Sequence, residues 1–201
     1  MPKSNAPTNT TASQRAKIQL TPADWINAAT AVLVDKSVDA VRVDLLAKGL
    51  NVTRGSFYWH FQDRDDLLQQ VLKFWRDAAT EQIINRFEGS GADPEALVHE
   101  LASLPFHGQA AFDSASIELA IRAWARRDEM ARQVVDEVDA KRLSYISQTF
   151  VALGFSFQEA GMRAFLLYSY MISESLMNGQ GTETQRLQRR DFVAQRMLRK
   201  S

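Results

Sequence analysis

Helix-start signals recur along this chain, each followed by apolar residues at helical spacing, and no other feature restricts its fold as tightly. Thr21–Pro22, Thr53, Asp63, Asp93–Pro94, Asp128 and Ser156 are all of this kind. Such side chains accept the free N–H groups of a first turn, and proline there pre-sets the backbone. The longest stripe follows Asp63 in "DDLLQQVLKFWRDAATEQIINRF", where Leu68, Val71, Leu72, Trp75, Ala79, Ile83 and Phe87 share one face. That pattern predicts a helix of about 23 residues. Further helices are expected over 22–35, 43–50, from Thr53 to before Asp63, from Asp93 to before Pro105, over 113–126, from Asp128 to Gly154, from the Ser156–Glu159 capping box to about 178, and over 184–200. No segment reads convincingly as a strand and no internal repeat occurs. The expected fold is all-α, about nine helices.

Composition narrows the class. Of 201 residues, 45% are hydrophobic and 24% charged, the balance of a globular chain. No apolar run approaches the ~18 residues of a membrane span. There is no cysteine, which excludes disulfides, thiolate metal sites and cysteine nucleophiles. The first 18 residues are polar and aperiodic, so they read as a flexible arm; lacking an apolar signal core, they predict a cytoplasmic protein. Net charge is zero, yet residues 1–64 hold eight basic against five acidic side chains. The rest is correspondingly acidic. A mildly basic N-terminal third suits a polyanion, though so small an imbalance is common by chance.

The stretch "VTRGSFYWHF" (52–61) ends in five consecutive rings. Taken alone it favours a strand. It lies, however, between the capping residues Thr53 and Asp63, with no second strand to pair with. As a helix, it places Phe57 and Phe61 on one face, against Leu45, Leu46 and Trp25. Arg54, Gly55, Ser56, Tyr58, Trp59 and His60 then form an outward arc. Arg54 can bridge guanine O6 and N7, while Thr53, Ser56, Tyr58 and His60 can donate to phosphates. Gly55 costs about 1 kcal/mol of helix stability, and it thins the helix where a surface must come close. Asn51, which tolerates a left-handed backbone, can end the helix before it.

The run "VRVDLLAKGLNVTRGSFYWHFQDRDDLL" resembles the DNA-binding domain of TetR-type transcriptional regulators over about residues 20–70. It shares their short helix, tight turn, Ser/Thr, basic residue, Gly, aromatic run and acidic cap. It departs from the pattern at Asn51, where Gly is usual, and at Arg42, where Ser/Thr is frequent. The resemblance implies phosphate contacts from Thr53, Ser56, Tyr58 and His60, and base contacts from Arg54, Gly55 and Trp59. Arg42 and Arg64 would flank them on phosphates. It also implies a helix-turn-helix domain over 19–66 and an effector-binding and dimerisation domain over 67–201. The function implied is that of a repressor released from a palindromic operator on double-stranded DNA by a small apolar or amphipathic effector. No cofactor, metal or membrane is implied.

Within the body, Phe74, Trp75, Phe106, His107, Trp124, Tyr145 and Tyr168 are the effector-pocket candidates, although an aromatic at helical spacing is more often plain core. In TetR-type proteins the last two helices usually form the homodimer contact, which nominates Leu166, Tyr170, Ile172, Leu176, Met177, Phe192, Val193 and Met197. A regulator controlled by a protein partner, or acting architecturally without a ligand, is the main alternative. A hydrophobic cavity of several hundred Å3 in the body would favour the ligand. An all-α enzyme is a remoter alternative: the three histidines form no metal-protease or di-iron motif, and no nucleophile elbow occurs.

Overall fold

The computed structural model describes residues 20–177 and 180–200. The arm expected over residues 1–18 lies outside them. The described residues contain helices α1 (Pro22–Asp35), α2 (Val43–Gly49), α3 (Arg54–Phe57), α4 (Arg64–Arg76), α5 (Gln82–Ser90), α6 (Pro94–Ser103), α7 (Gly108–Ala125), α8 (Glu129–Ala152), α9 (Phe157–Leu176) and α10 (Glu183–Leu198), and no strand. A π-helical turn, Asp77–Glu81, joins α4 to α5, so the two form one continuous rod and the described residues make nine rods.

The starts follow the capping chemistry. The side chains of Asp63, Asp93, Asp128 and Ser156 accept the backbone N–H of Asp66, Ala96, Ala131 and Glu159. At α1 the roles are inverted: the Asp24 carboxylate accepts from both the backbone N–H and the hydroxyl of Thr21, each at 2.7 Å. Thr53 stands at the N-cap of α3 with an extended backbone, but its hydroxyl makes no cap bond. Asn51 takes the left-handed conformation, φ 56°, and turns the chain between α2 and α3.

Two apolar cores are stacked along the molecule. The first gathers Trp25, Leu33, Leu46, Phe57, Phe61, Leu68 and Leu72 from the N-terminal helices and continues into Trp75, Ile121, Trp124, Val135 and Val138 of the body. Leu45, expected inside, is exposed, and Ala47 takes its place. The second core is built from Phe87, Val98, Leu101, Ile146, Phe150, Phe155, Leu167 and Ala194. The α4–α5 rod passes from one core to the other, with its π turn between them.

Candidate nucleic-acid interface and body cavity

Phe57 anchors the outward arc. Its ring is fully buried, edge-on to Trp25 at 5.3 Å between centroids and stacked on Phe61 at 5.3 Å. Since α3 is a single turn followed by a looser turn to His60, the residues around Phe57 are thrown outward. Thr53, Arg54 and Gly55 are exposed, Ser56 and His60 half-buried, Tyr58 55% exposed and Trp59 86% exposed. Leaving an indole that far in water is unfavourable unless a partner covers it. A Cβ added to Gly55 would meet only the Thr53 hydroxyl, at 3.7 Å, an ordinary contact. The fold itself therefore has no need of a glycine there.

The two flanking arginines differ. Arg42 is exposed and, among the described residues, paired only with Asp44, at 3.1 Å. Arg64, expected as a phosphate contact, is instead committed inward. Its Nε and Nη2 donate to the carbonyls of Val41 and Val38, each at 2.6 Å, holding the turn before α2 against the start of α4. These carbonyls precede or leave short helical turns, and a guanidinium satisfies them at once.

Between the cores lies a cavity of about 880 Å3. Five of the seven pocket candidates, Phe74, Trp75, His107, Tyr145 and Tyr168, line it. Two do not. Trp124 is buried in the first core, where the body meets the N-terminal helices. Phe106 faces α10 instead, with the guanidinium carbon of Arg186 over its ring, 4.9 Å from the centroid. The rest of the wall is mainly aliphatic, including Ile83, Ile117, Leu119, Met171 and Ile172.

One end of the cavity is polar, and sequence reasoning missed it. Glu118 of α7 accepts from Arg122 Nε at 3.0 Å and, through both oxygens, from Arg142 Nη1 at 3.1 Å. Asp139 of α8 accepts from Arg122 Nη1 at 3.0 Å and from the Tyr168 hydroxyl at 2.6 Å. Arg142 Nη2 donates to the Ala79 carbonyl at 3.0 Å, inside the π turn. Burial opposes charge on Asp139, but the hydrogen bonds from Arg122 and Tyr168 outweigh it and hold the carboxyl below its ordinary range. Burial, reinforced by Glu118 and Asp139, pushes the Tyr168 hydroxyl well above its ordinary value. The only hint in the sequence was the i,i+4 pair Glu118–Arg122.

The dimer candidates also divide. Leu166 and Leu176 are exposed on α9, Met177 just after it and Phe192 on α10, though Leu176 also borders the cavity. Met162 and Phe165, not anticipated, extend the α9 stripe at helical spacing and are 60% and 61% exposed. Ile172 faces the cavity, while Val193 and Met197 pack against the second core. Tyr170 also packs there, and burial together with Glu174 raises its hydroxyl to about 12. Behind this face, the buried Glu174 binds Arg186 at 2.9 Å and Arg189 at 3.1 Å, pinning α10 to α9.

Residues 26–71 match the family described as bacterial regulatory proteins, tetR family. This segment is a DNA-binding domain of the TetR family. Its helix-turn-helix makes the chain a DNA-binding transcriptional regulator. The TetR fold extends over the body as well. A transcriptional regulator from Rhodococcus sp. Rha1 is similar at TM-score 0.69 and 17% identity, over 89% of this chain and 96% of that one. A Saccharomonospora viridis protein in complex with choline matches at TM-score 0.69 and 17% identity, over 88% and 92%. FadR from Bacillus subtilis, in complex with stearoyl-CoA, matches at TM-score 0.64 and 16% identity, over 89% and 98%. No curated protein matches the sequence. No helix among the described residues is long and apolar enough to cross a membrane.

Proposed function

We propose that this TetR-family chain is a cytoplasmic, homodimeric repressor, released from a palindromic operator by a small apolar or amphipathic effector. Residues 19–66 serve as its DNA-binding unit and 67–201 as a non-enzymatic body that binds the effector and the second protomer. The DNA face is the exposed arc around buried Phe57. Thr53, Ser56, Tyr58 and His60 contact phosphates there, Arg54, Gly55 and Trp59 face base edges, and Arg42 flanks them.

The observation that carries the effector reading is the cavity of about 880 Å3 between the cores. Its size lies within the ~300–1,000 Å3 usual for small-molecule sites, which favours a ligand over control by a protein partner alone. The choline and stearoyl-CoA complexes show that proteins of this fold take ligands. The π turn in its wall belongs to the rod that enters the DNA-binding unit. An effector preferring a different setting of that turn would shift the population toward wrongly spaced recognition helices. In the dimer the exposed α9–α10 stripes pair, and the recognition helices stand about 34 Å apart, one DNA turn.

A gel shift on the DNA flanking the chain's own gene, repeated across salt, tests the proposal. Binding that weakens steeply as salt rises is expected. Failure to bind any palindrome there, or salt-independent binding, would overturn it. Tyr58→Phe should weaken binding to all sequences alike, and Arg54→Ala should relax base preference.

A further inference from the structure

The polar end of the cavity is built from charges that cancel. Glu118, Arg122 and Arg142 stand in its wall and Asp139 directly behind it, two carboxylates against two guanidiniums. Glu118 receives three guanidinium nitrogens, Asp139 receives Arg122 and Tyr168, and Arg142 spends Nη2 on the Ala79 carbonyl. Neither sign of charge is left over. An incoming carboxylate or phosphate would have to displace Glu118 from its guanidiniums. An incoming ammonium would have to displace Arg122. Either exchange leaves a partly buried charge unpaired, which is costly in a low-dielectric setting. The remaining ionisable wall residues, Asp35, Arg86, His107 and Asp113, are all exposed, so water screens them.

Hydrogen-bonding capacity does survive there. Tyr145 lines the cavity and is half-buried, and its hydroxyl has no hydrogen bond among the described residues, while Glu118 and Arg122 keep partial exposure. Alongside lies the aliphatic wall. We propose that the cavity selects uncharged amphiphiles, molecules with an apolar chain and a neutral hydrogen-bonding end such as a hydroxyl, and rejects those that would carry a net charge to the Glu118–Arg122–Arg142 cluster. A charged group borne elsewhere on the ligand is accepted only where it stays at the solvent-facing rim. This selectivity rests on the effector reading of the same cavity and adds the chemical class.

The test measures binding of 1-decanol, decanoate and decylammonium to the full chain by tryptophan fluorescence, since Trp75 is in the wall. Decanol should bind at least about tenfold more tightly than either ion. That ordering alone also reflects the lower solubility of the alcohol, so the variants decide. Glu118→Gln removes one negative charge and should raise the decanoate-to-decanol affinity ratio about tenfold or more. Asp139→Asn, outside the cavity wall, should move the ratio the same way and serves if Glu118→Gln does not fold. Arg122→Gln should move the decylammonium-to-decanol ratio upward instead. If an ion binds the unaltered chain as tightly as decanol, or neither carboxylate variant moves the ratio, the neutral-ligand proposal fails and the effector reading stands. If none of the three compounds binds, both fail.

Discussion

Gly55 and Arg64 show how differently two residues of one motif are constrained. An added methyl at Gly55 fits the folded chain, so its glycine answers to whatever lies against α3. Gly55→Ala should therefore leave melting unchanged or raise stability by up to about 1 kcal/mol, while operator affinity falls at least about tenfold, one unfavourable contact's worth. Equal losses of both, measured by calorimetry and gel shift, would sink that account. Arg64 behaves oppositely. Its two bonds to backbone carbonyls predict that Arg64→Ala lowers stability by about 1.5–3 kcal/mol, with no change in the salt slope of DNA binding. The sequence marks both as part of a DNA-binding motif, and for Arg64 that resemblance misleads. Nothing in local spacing announces a partner 23 or 26 residues away.

At the level of elements, the caps and apolar stripes made almost every helix legible. What they missed is the π turn at Asp77–Glu81, because its extra residue leaves the apolar pattern of the rod almost unaltered. Arg142, reaching across from α8, holds that turn by the Ala79 carbonyl. Arg142→Met should uncouple the cavity from the DNA-binding unit: effector binding persists, but the effector-induced drop in operator affinity shrinks. Titrating the operator complex with effector checks this, and an unaltered response would refute it. The α9–α10 pair relies on Glu174. Glu174→Ala should destabilise the chain by about 1–3 kcal/mol, read in a urea titration. Its arginine partners are partly exposed and can rehydrate, which limits the loss.

For the molecule as a whole, the buried Glu174 and the half-buried Asp139 shape the acid response. Burial resists ionisation of Glu174 and Asp139, but their arginines prevail and hold both below the ordinary values of 4.5 and 3.8. A depressed folded-state value means that the stabilisation is complete above these values and is lost as pH falls through the lower, folded ones. Melting temperature should thus decline as pH falls below about 4.5, and Glu174→Gln should flatten part of that decline. The proposed assembly is tested at its apolar stripe. Phe165→Glu combined with Leu166→Glu should give monomers in sedimentation and cut operator affinity about 100-fold or more, as the second half-site no longer binds in the same event.

By itself the sequence determined the all-α architecture, the positions of most helix starts (α7 begins at Gly108, ahead of the expected 113), the left-handed turn at Asn51 and the division of "SFYWHF" into two buried and several exposed rings. These follow from hydrogen bonding and periodicity within a few residues. Only the tertiary structure decided that Trp124 and Phe106 lie off the cavity wall, that Arg64 faces inward, and that Glu118, Arg122, Asp139, Arg142 and Tyr168 converge on one neutral cluster. Those outcomes depend on which helix faces cross in space. Aromatic rings on a helix look alike in the chain whether they end in a core or on a cavity, and charges far apart in sequence show no sign that they will cancel.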